Sequence, residues 1–276
     1  MIDDKILDLY EAYAASGRSR HSSNPFSDMI QFLMDQDQNL PISRELVRSA
    51  EMSHLLHDVT KVKLKAPVPN PPKAMITGPS WKKHLKDGRM PDFIFVMKPP
   101  PTIIGPGDNI TIPREARQVV TEVELAIVIG KPGRYVSKED AWNHIAGFTV
   151  FNDTTDYGLY REGTPRAVIR AKSYDTFAPH GPCITLKDQI GDVQNLELKL
   201  RLNGEERVRI RTSEMVYPIA HFVSSVSEVM TLQVGDVIST GCPEVVPVKP
   251  GDVVEAEIEN IGTLRNQFVE MKAQSE

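Results

Sequence analysis

A proline-rich segment divides this chain into two parts with different residue patterns. The segment reads Lys65-Ala-Pro-Val-Pro-Asn-Pro-Pro-Lys73, and its four prolines are incompatible with a helix interior. We therefore predict an extended connector with a domain boundary near residue 68. The chain is expected to consist of a small region, residues 1–68, and a larger region, residues 69–276.

The region ahead of the connector has the spacing of helices. Between Asp3 and Ala15, apolar residues recur every three or four positions behind acidic residues that suit a helix start. A second apolar stripe begins at Leu46, after Ser43. We predict a mostly helical N-terminal region.

After the connector, short runs rich in β-branched residues replace the helical spacing. Gly-Asp pairs precede several runs, where glycine tolerates a positive φ and aspartate bonds the backbone of a tight turn. Two helices are predicted among the strands, one after Ser137 and one after Pro218. The expected fold class is α+β, a mixed β domain with few helices. The predicted strands are 93–97, 119–129, 145–151, 196–202, 237–240 and 253–258.

The charge balance excludes two classes of partner. The chain has 32 Lys+Arg against 37 Asp+Glu and a net charge of −5, so we expect neither nucleic acid nor anionic membrane as a partner. The N-terminus lacks the pattern of a secretory signal, and no apolar run approaches the roughly 18 residues of a membrane span. A cytoplasmic protein is expected. Cys183 and Cys242 are isolated, so neither a disulfide framework nor a structural zinc site is predicted.

Two glutamates stand two residues apart in an aliphatic run. In a strand, Glu122 and Glu124 would point to the same face. If that face is buried, the two charges need a compensating cation, and carboxylate oxygens suit Mg²⁺, Mn²⁺ or Ca²⁺. By spacing alone, a solvent-facing pair on an edge strand is the favoured interpretation.

Two further charged residues fit the same chemistry. Asp153 follows the predicted strand 145–151 and could add a third carboxylate to a metal site, although an Asp-rich turn also explains it. Lys172 lies just beyond, where it could stabilise a substrate oxyanion. A solvated lysine is the alternative.

A histidine and an aspartate could form a general base. His84 and Asp87 are three residues apart in what the sequence predicts to be a helical turn closed by Gly88. A carboxylate can orient an imidazole and raise its basicity toward water. A surface histidine among lysines explains the same residues.

Taken in order, these segments resemble the fumarylacetoacetate hydrolase family. Seven ordered blocks between about Lys73 and Asn266 carry the resemblance. They are FVMKP from Phe95, IGPGDNI from Ile104, EVELAIVIG from Glu122, AGFTVFND from Ala146, KSYD from Lys172, MTLQVGD from Met230 and GTLRN from Gly262.

The resemblance implies the roll-like or barrel-like β fold of the family, a homodimer, and a divalent metal, usually Mg²⁺. The residues it implies are Glu122, Glu124 and Asp153 as metal ligands, Lys172 at the substrate, and His84 with Asp87 as the pair that activates water.

The chain departs from the family pattern around the expected substrate pocket. The block after Asp153 reads Tyr157-Gly-Leu-Tyr160 where the family usually has Arg-Asp and a glutamine, and Cys242 replaces a threonine. The family's Asn-Tyr ahead of the histidine is Ser80-Trp81. The residues expected to bind substrate are Trp81, Lys98, Tyr160, Thr240 and Cys242.

The implied function is a metal-dependent reaction on a small 2-oxo acid. The leading hypothesis is a hydrolase that cleaves a C–C bond of an acylpyruvate-like β-diketone, with chelation stabilising enolate charge. Decarboxylation, isomerisation and hydration or dehydration are the alternatives with the same metal site. If Asp87 is too short to hold His84, hydrolysis should be weak while enolate chemistry survives. The third hypothesis is an organic-acid binder without turnover, with Arg161, Arg166 and Arg170 as an anion clamp.

Overall fold

The computed structural model describes residues 5–18, 24–90 and 92–271. The chain forms two compact units, residues 1–63 and 64–276. Within the described residues, no helix has the length and apolar character needed to cross a membrane.

The first unit is mostly helical and also contains a small antiparallel ribbon. Its elements are β1 (Lys5–Leu7), α1 (Leu9–Ala15), α2 (Met29–Met34), α3 (Gln36–Arg48) and β2 (Leu56–Asp58). Helix α1 begins later than the sequence predicts, because the residues of β1 pair with β2 instead. Asp8 caps the helix, since its side chain accepts the N–H of Glu11 at 3.1 Å. Asp3 and Asp4, the predicted acidic start, lie outside the described residues.

The second unit contains mixed β-sheets with few helices, as the sequence predicts. Its elements are β3 (Ala74–Gly78), β4 (Ile94–Lys98), β5 (Ile103–Ile104), β6 (Asn109–Ile112), β7 (Val119–Thr121), β8 (Val123–Ile129), α4 (Ala141–His144), β9 (Ile145–Asn152), β10 (Thr155–Asp156), α5 (Tyr157–Tyr160), α6 (Pro165–Ala171), β11 (Ala178–Leu186), β12 (Glu197–Leu202), β13 (Glu205–Arg211), α7 (Ile219–Val229), β14 (Val237–Ser239), β15 (Val246–Pro247), β16 (Val253–Ile258) and β17 (Gly262–Glu270).

A seven-stranded sheet forms the centre of this unit, in the order β4-β3-β14-β8-β9-β11-β5. Every residue of β8 and β9 is buried, which explains why these strands are mostly apolar and do not alternate. A small sheet, β10-β7-β15, lies next to the start of β8 and the end of β9, which β7 precedes and β10 follows in the chain. The predicted strand 119–129 is therefore interrupted at Glu122, where the chain passes from one sheet to the other.

A five-stranded sheet, β13-β12-β16-β17-β6, packs against the central strands. Buried and partly exposed residues alternate along β12 and β16, as expected for a sheet with one face toward the core. Phe148 of β9, Phe222 of α7 and Phe268 of β17 are fully buried in one apolar cluster. Each such side chain stabilises the fold by roughly 1.5–3 kcal/mol. Residues of β8 and β9 belong to this same cluster.

Candidate active site

The ends of two paired strands bring three carboxylates together. Strands β8 and β9 pair antiparallel with Val123 opposite Asn152, so Glu122 and Asp153 meet just beyond the last pair. The amide N–H of Asp153 donates to the carbonyl oxygen of Glu122 at 3.2 Å. Glu124 lies two residues along β8, and alternate residues of a strand share a face. The register therefore places all three side chains on the same side of the sheet.

The three carboxylates form a compact acidic cluster. One oxygen from each of Glu122, Glu124 and Asp153 lies within 4.8 Å of the others, and all three residues are buried. Among the described residues none donates a hydrogen bond to the Glu122 carboxylate, and the Lys172 ammonium is 4.0 Å from it. Burial raises the pKa of Glu122 well above its ordinary value, and the other two carboxylates add to this. Buried oxygen ligands with uncompensated charge fit a divalent cation.

Glu124 is held in place by two donors from one strand end. The Ser239 hydroxyl and the Gly241 N–H both donate to its Oε2 atom, the second at 3.1 Å. Gly241 has a φ of +77°, and a Cβ there would lie 2.6 Å from the Thr77 carbonyl oxygen, so only glycine fits. Burial and the neighbouring Asp153 raise the pKa of Glu124 to about 7, although both hydrogen bonds oppose the shift.

Two lysines neutralise Asp153. The Lys98 ammonium lies 2.6 Å from Asp153 Oδ1, and the Lys172 ammonium bonds Oδ2. Burial alone would raise the pKa of Asp153, but Lys172 and Lys98 outweigh it and hold that pKa below its ordinary value. Lys172 also donates to the Thr155 hydroxyl at 2.9 Å. Burial disfavours its charge, yet Asp153 and Glu122 raise the pKa of Lys172, which therefore remains an ammonium.

A cavity of about 800 Å³ has the acidic cluster in its wall. Four other residues predicted for the site also line it: His84, Tyr160, Lys172 and Cys242. The cavity is thus bordered by metal-ligating oxygens, an ammonium and an imidazole. Lining residues that were not predicted include Lys83, Lys86, Asp92, Thr155, Tyr157 and Val168.

His84 is bound through its ring to the backbone. Its Nδ1 atom accepts the N–H groups of Ser80 and Trp81, each at 3.2 Å, and the ring also bonds the backbone of Cys242. Burial lowers the pKa of His84, so the imidazole is neutral near pH 7. Because Nδ1 is an acceptor, the ring proton is on Nε2. A second proton on Nδ1 would face two N–H donors, so this arrangement opposes a base role for His84.

Asp87 lies outside the helical turn in which the sequence placed it. That turn is a short 3₁₀ helix, Lys82–His84, and it ends at the histidine. Lys86 and Arg89 exchange two backbone hydrogen bonds of 2.9 Å around Asp87 and Gly88, whose φ values are +50° and +75°. An Asp-Gly pair with two positive φ angles is typical of a tight hairpin turn. No described hydrogen bond joins Asp87 to His84, and Asp87 does not line the cavity.

Comparison with known proteins identifies the family. The profile of the fumarylacetoacetate (FAA) hydrolase C-terminal domain matches residues 73–269. The chain belongs to the fumarylacetoacetate hydrolase family. The predicted resemblance and the α+β fold class are both confirmed.

Three relatives from this family illustrate its range. Oxaloacetate tautomerase YisK of Bacillus subtilis is 32% identical, over 96% of this chain and 93% of its own. The mitochondrial oxaloacetate tautomerase FAHD2A of Bos taurus is 35% identical, over 87% of this chain and 79% of its own. The crystal structure of maleylpyruvate hydrolase from Sphingobium sp. SYK-6, in complex with manganese(II) and pyruvate, has a TM-score of 0.82 at 30% identity and covers 99% of this chain and 95% of its own.

Three residues expected to bind substrate do not line the cavity. Lys98 donates to the carbonyl oxygens of Thr154 and Phe177, at 3.2 and 2.9 Å. The Trp81 indole donates to a backbone carbonyl at 2.8 Å, and the Thr240 hydroxyl does so at 2.9 Å. All three side chains are buried and none lines the cavity, so in this structure they support the walls of the site.

Two residues with evident roles were not among the predicted site residues. Ser239 holds Glu124, and Tyr157 lines the cavity beside Tyr160. The spacing of Tyr157 and Tyr160 on a short helix is a signal that both face one way. Nothing local marks Ser239, because its partner is more than a hundred residues away.

Proposed function

We propose that this protein is a divalent-metal-dependent enzyme that interconverts the keto and enol forms of a small 2-oxo acid. The observation that carries the proposal is the acidic cluster of Glu122, Glu124 and Asp153 in the wall of a cavity that Lys172 also lines. The names of two relatives, both oxaloacetate tautomerases, support this class of reaction. Manganese and pyruvate in the maleylpyruvate hydrolase structure support the metal and the 2-oxo acid.

The three carboxylates would hold the cation, for which we propose Mg²⁺ or Mn²⁺ because the donors are all hard oxygens. A bound cation would draw in the carboxylate and 2-oxo oxygens of the substrate and stabilise negative charge on the 2-oxo oxygen. Lys172 is cationic and borders the same space, so it stabilises the same charge. His84 also lines the cavity, but its ring is already bonded to the backbone of Ser80, Trp81 and Cys242, so we assign it no role in proton transfer.

This reaction needs no activated water, which is why we place it ahead of hydrolysis. A hydrolytic step requires His84 to accept a proton, and its Nδ1 atom already accepts two backbone N–H groups. Asp87, expected to orient the ring, forms the tip of a hairpin turn.

C–C hydrolysis of an acylpyruvate is the second candidate. It is favoured by the position of His84 in the cavity wall and by the similarity to maleylpyruvate hydrolase along nearly the whole chain. It would require segment 80–89 to rearrange so that His84 releases the backbone.

The test compares two reactions on protein stripped with EDTA and then supplied with Mg²⁺ or Mn²⁺. Ketonisation of enol-phenylpyruvate and of enol-oxaloacetate is followed by ultraviolet absorbance, and acetylpyruvate is assayed for cleavage, with products identified by NMR. Metal-dependent ketonisation without cleavage supports the proposal. Cleavage at a comparable rate supports the second candidate. Release of CO₂ or addition of water would instead show that the protein is a decarboxylase or a hydratase. Binding without any product would support the hypothesis of an organic-acid binder without turnover.

A further inference from the structure

Two stacked tyrosines form one wall of the cavity. Tyr157 and Tyr160 lie three residues apart on α5, with ring centroids 5.8 Å apart and an interplanar angle of 13°. Both are half-buried and both line the cavity. The Lys172 ammonium is 5.2 Å from the centre of the Tyr160 ring, so the aromatic wall begins next to the acidic cluster.

Aliphatic side chains extend this wall. Ile94 and Val96 of β4, Val168 of α6 and Val245 line the same cavity. Ile94 is 47% exposed and Val245 is 37% exposed, although both are apolar. An apolar group that covered them would remove this surface from water, which is favourable.

The charges away from the acidic cluster are balanced. Two lysines in the described lining, Lys83 and Lys86, are matched by two carboxylates, Asp92 and Glu244. Lys83 is already paired with Glu244. Lys172 is bound to Asp153, and no arginine occurs among the lining residues that the structure describes. A second carboxylate on the substrate would therefore meet no net positive charge and would lose its hydration.

We infer that Tyr157 and Tyr160 determine specificity, and that the cavity selects 2-oxo acids whose far end is apolar, above all planar and unsaturated, over those with a second carboxylate. The inference rests on the proposed function, since the metal centre is what fixes the 2-oxo acid end. An aryl or alkenyl group would pack offset or edge-on against the two rings.

The first test compares two probes of similar shape on the Mn²⁺-loaded protein by calorimetry. In 5-methyl-2-oxohexanoate an isopropyl group takes the place of the distal carboxylate of 2-oxoglutarate. We expect the isopropyl probe to bind at least about tenfold more tightly. Equal or tighter binding of 2-oxoglutarate would overturn the inference and leave the proposed function intact. Binding of neither probe would contradict both.

The second test removes the aromatic wall. Tyr160→Ala should weaken the binding of benzoylformate by about fivefold to tenfold and should change the affinity for 2-oxoglutarate by less than about twofold. Tyr160→Phe should bind benzoylformate as tightly as the wild type does, because the ring and not the hydroxyl makes the contact. Tyr10→Ala, at an exposed tyrosine of the first unit, is the matched control. Equal loss of both probes, or no rescue by Phe, would show that Tyr160 acts on Lys172 and would overturn the inference.

Discussion

Glu122 and Asp153 face each other across two antiparallel strands, and the N–H of Asp153 donates to the carbonyl oxygen of Glu122 at 3.2 Å. This contact continues the register of β8 and β9 by one residue beyond their regular pairing. Directly opposed residues point to the same face of a sheet, so the two carboxylates meet in the same space. The spacing of the acidic cluster is therefore set by the rigid core of the sheet.

Glu122→Gln should have opposite effects on the metal-free and the metal-bound protein. Without metal, the variant removes a buried carboxylate that lacks a hydrogen-bond donor, so the free energy of unfolding should rise by roughly 1 kcal/mol. With Mn²⁺ at about 100 times its Kd, the wild type should gain about 2.7 kcal/mol and the variant far less. Thermal unfolding with EDTA and with Mn²⁺ measures both effects.

The control for this pair of measurements is Glu255→Gln. Glu255 lies on β16 and pairs with Arg265 at 3.4 Å, outside the cavity lining. Glu255→Gln should leave the Mn²⁺-dependent gain in unfolding free energy unchanged. A Glu122→Gln protein that keeps the full gain would show that Glu122 is not a ligand.

Lys98→Met should destabilise the fold. Lys98 is completely buried, pairs with Asp153 and donates to the carbonyl oxygens of Thr154 and Phe177. Its loss leaves Asp153 with Lys172 alone and removes the donor to two buried carbonyl oxygens, and each buried polar group left unsatisfied costs about 1–3 kcal/mol. Urea unfolding of the metal-free protein provides the measurement. If Lys98→Met keeps wild-type stability and loses only substrate affinity, Lys98 is a substrate-binding residue after all.

His180 should make the protein sensitive to mild acid. Its ring is fully buried and stacks on Phe151 at 6.1 Å, and burial lowers its pKa to about 4. In the unfolded chain His180 takes up a proton near pH 6.5, whereas the folded protein resists this proton down to about pH 4. The free energy of unfolding is therefore unaffected above pH 6.5 and decreases as the pH falls toward 4. The full loss is on the order of 3 kcal/mol.

His180→Gln isolates this contribution, because glutamine does not titrate. From pH 7 to pH 4, the unfolding free energy of the wild type should fall more than that of the variant. Parallel pH profiles for the two proteins would mean that His180 titrates normally.

Asp87→Asn should have little effect on keto–enol conversion. Asparagine tolerates the positive φ of the turn, and no hydrogen bond among the described residues joins Asp87 to His84. We expect kcat within about twofold of the wild type, the usual range for an exposed side chain. A loss of a hundredfold or more, on the order of that for a catalytic group, would show that Asp87 acts with His84 during turnover.

The sequence predicts the acidic cluster because its residues lie in short local motifs. Glu122 and Glu124 share one run, and Asp153 ends another, so order and spacing identify them through the family resemblance. Strand 253–258 was predicted with its observed bounds, since its alternation is clear. The break at Glu122 was not predicted, because the apolar pattern continues through it while the hydrogen-bond partners change from one sheet to another.

Other roles depend on contacts that sequence spacing does not contain. The sequence does not show that Lys98 has partners, because its hydrogen bonds go to the carbonyl oxygens of Thr154 and Phe177, which are distant in the chain. The Asp87-Gly88 pair is compatible with both a helix end and a hairpin turn, and the bonds between Lys86 and Arg89 decide for the hairpin.

A titration of EDTA-stripped protein with Mn²⁺, during which the ketonisation rate of enol-phenylpyruvate is recorded, is the most direct test of the proposed metal-dependent reaction. We expect the rate to rise to saturation at one ion per chain, and we expect no such rise for Glu124→Gln. A rate that is independent of Mn²⁺, or full activity in Glu124→Gln, would contradict the proposed reaction.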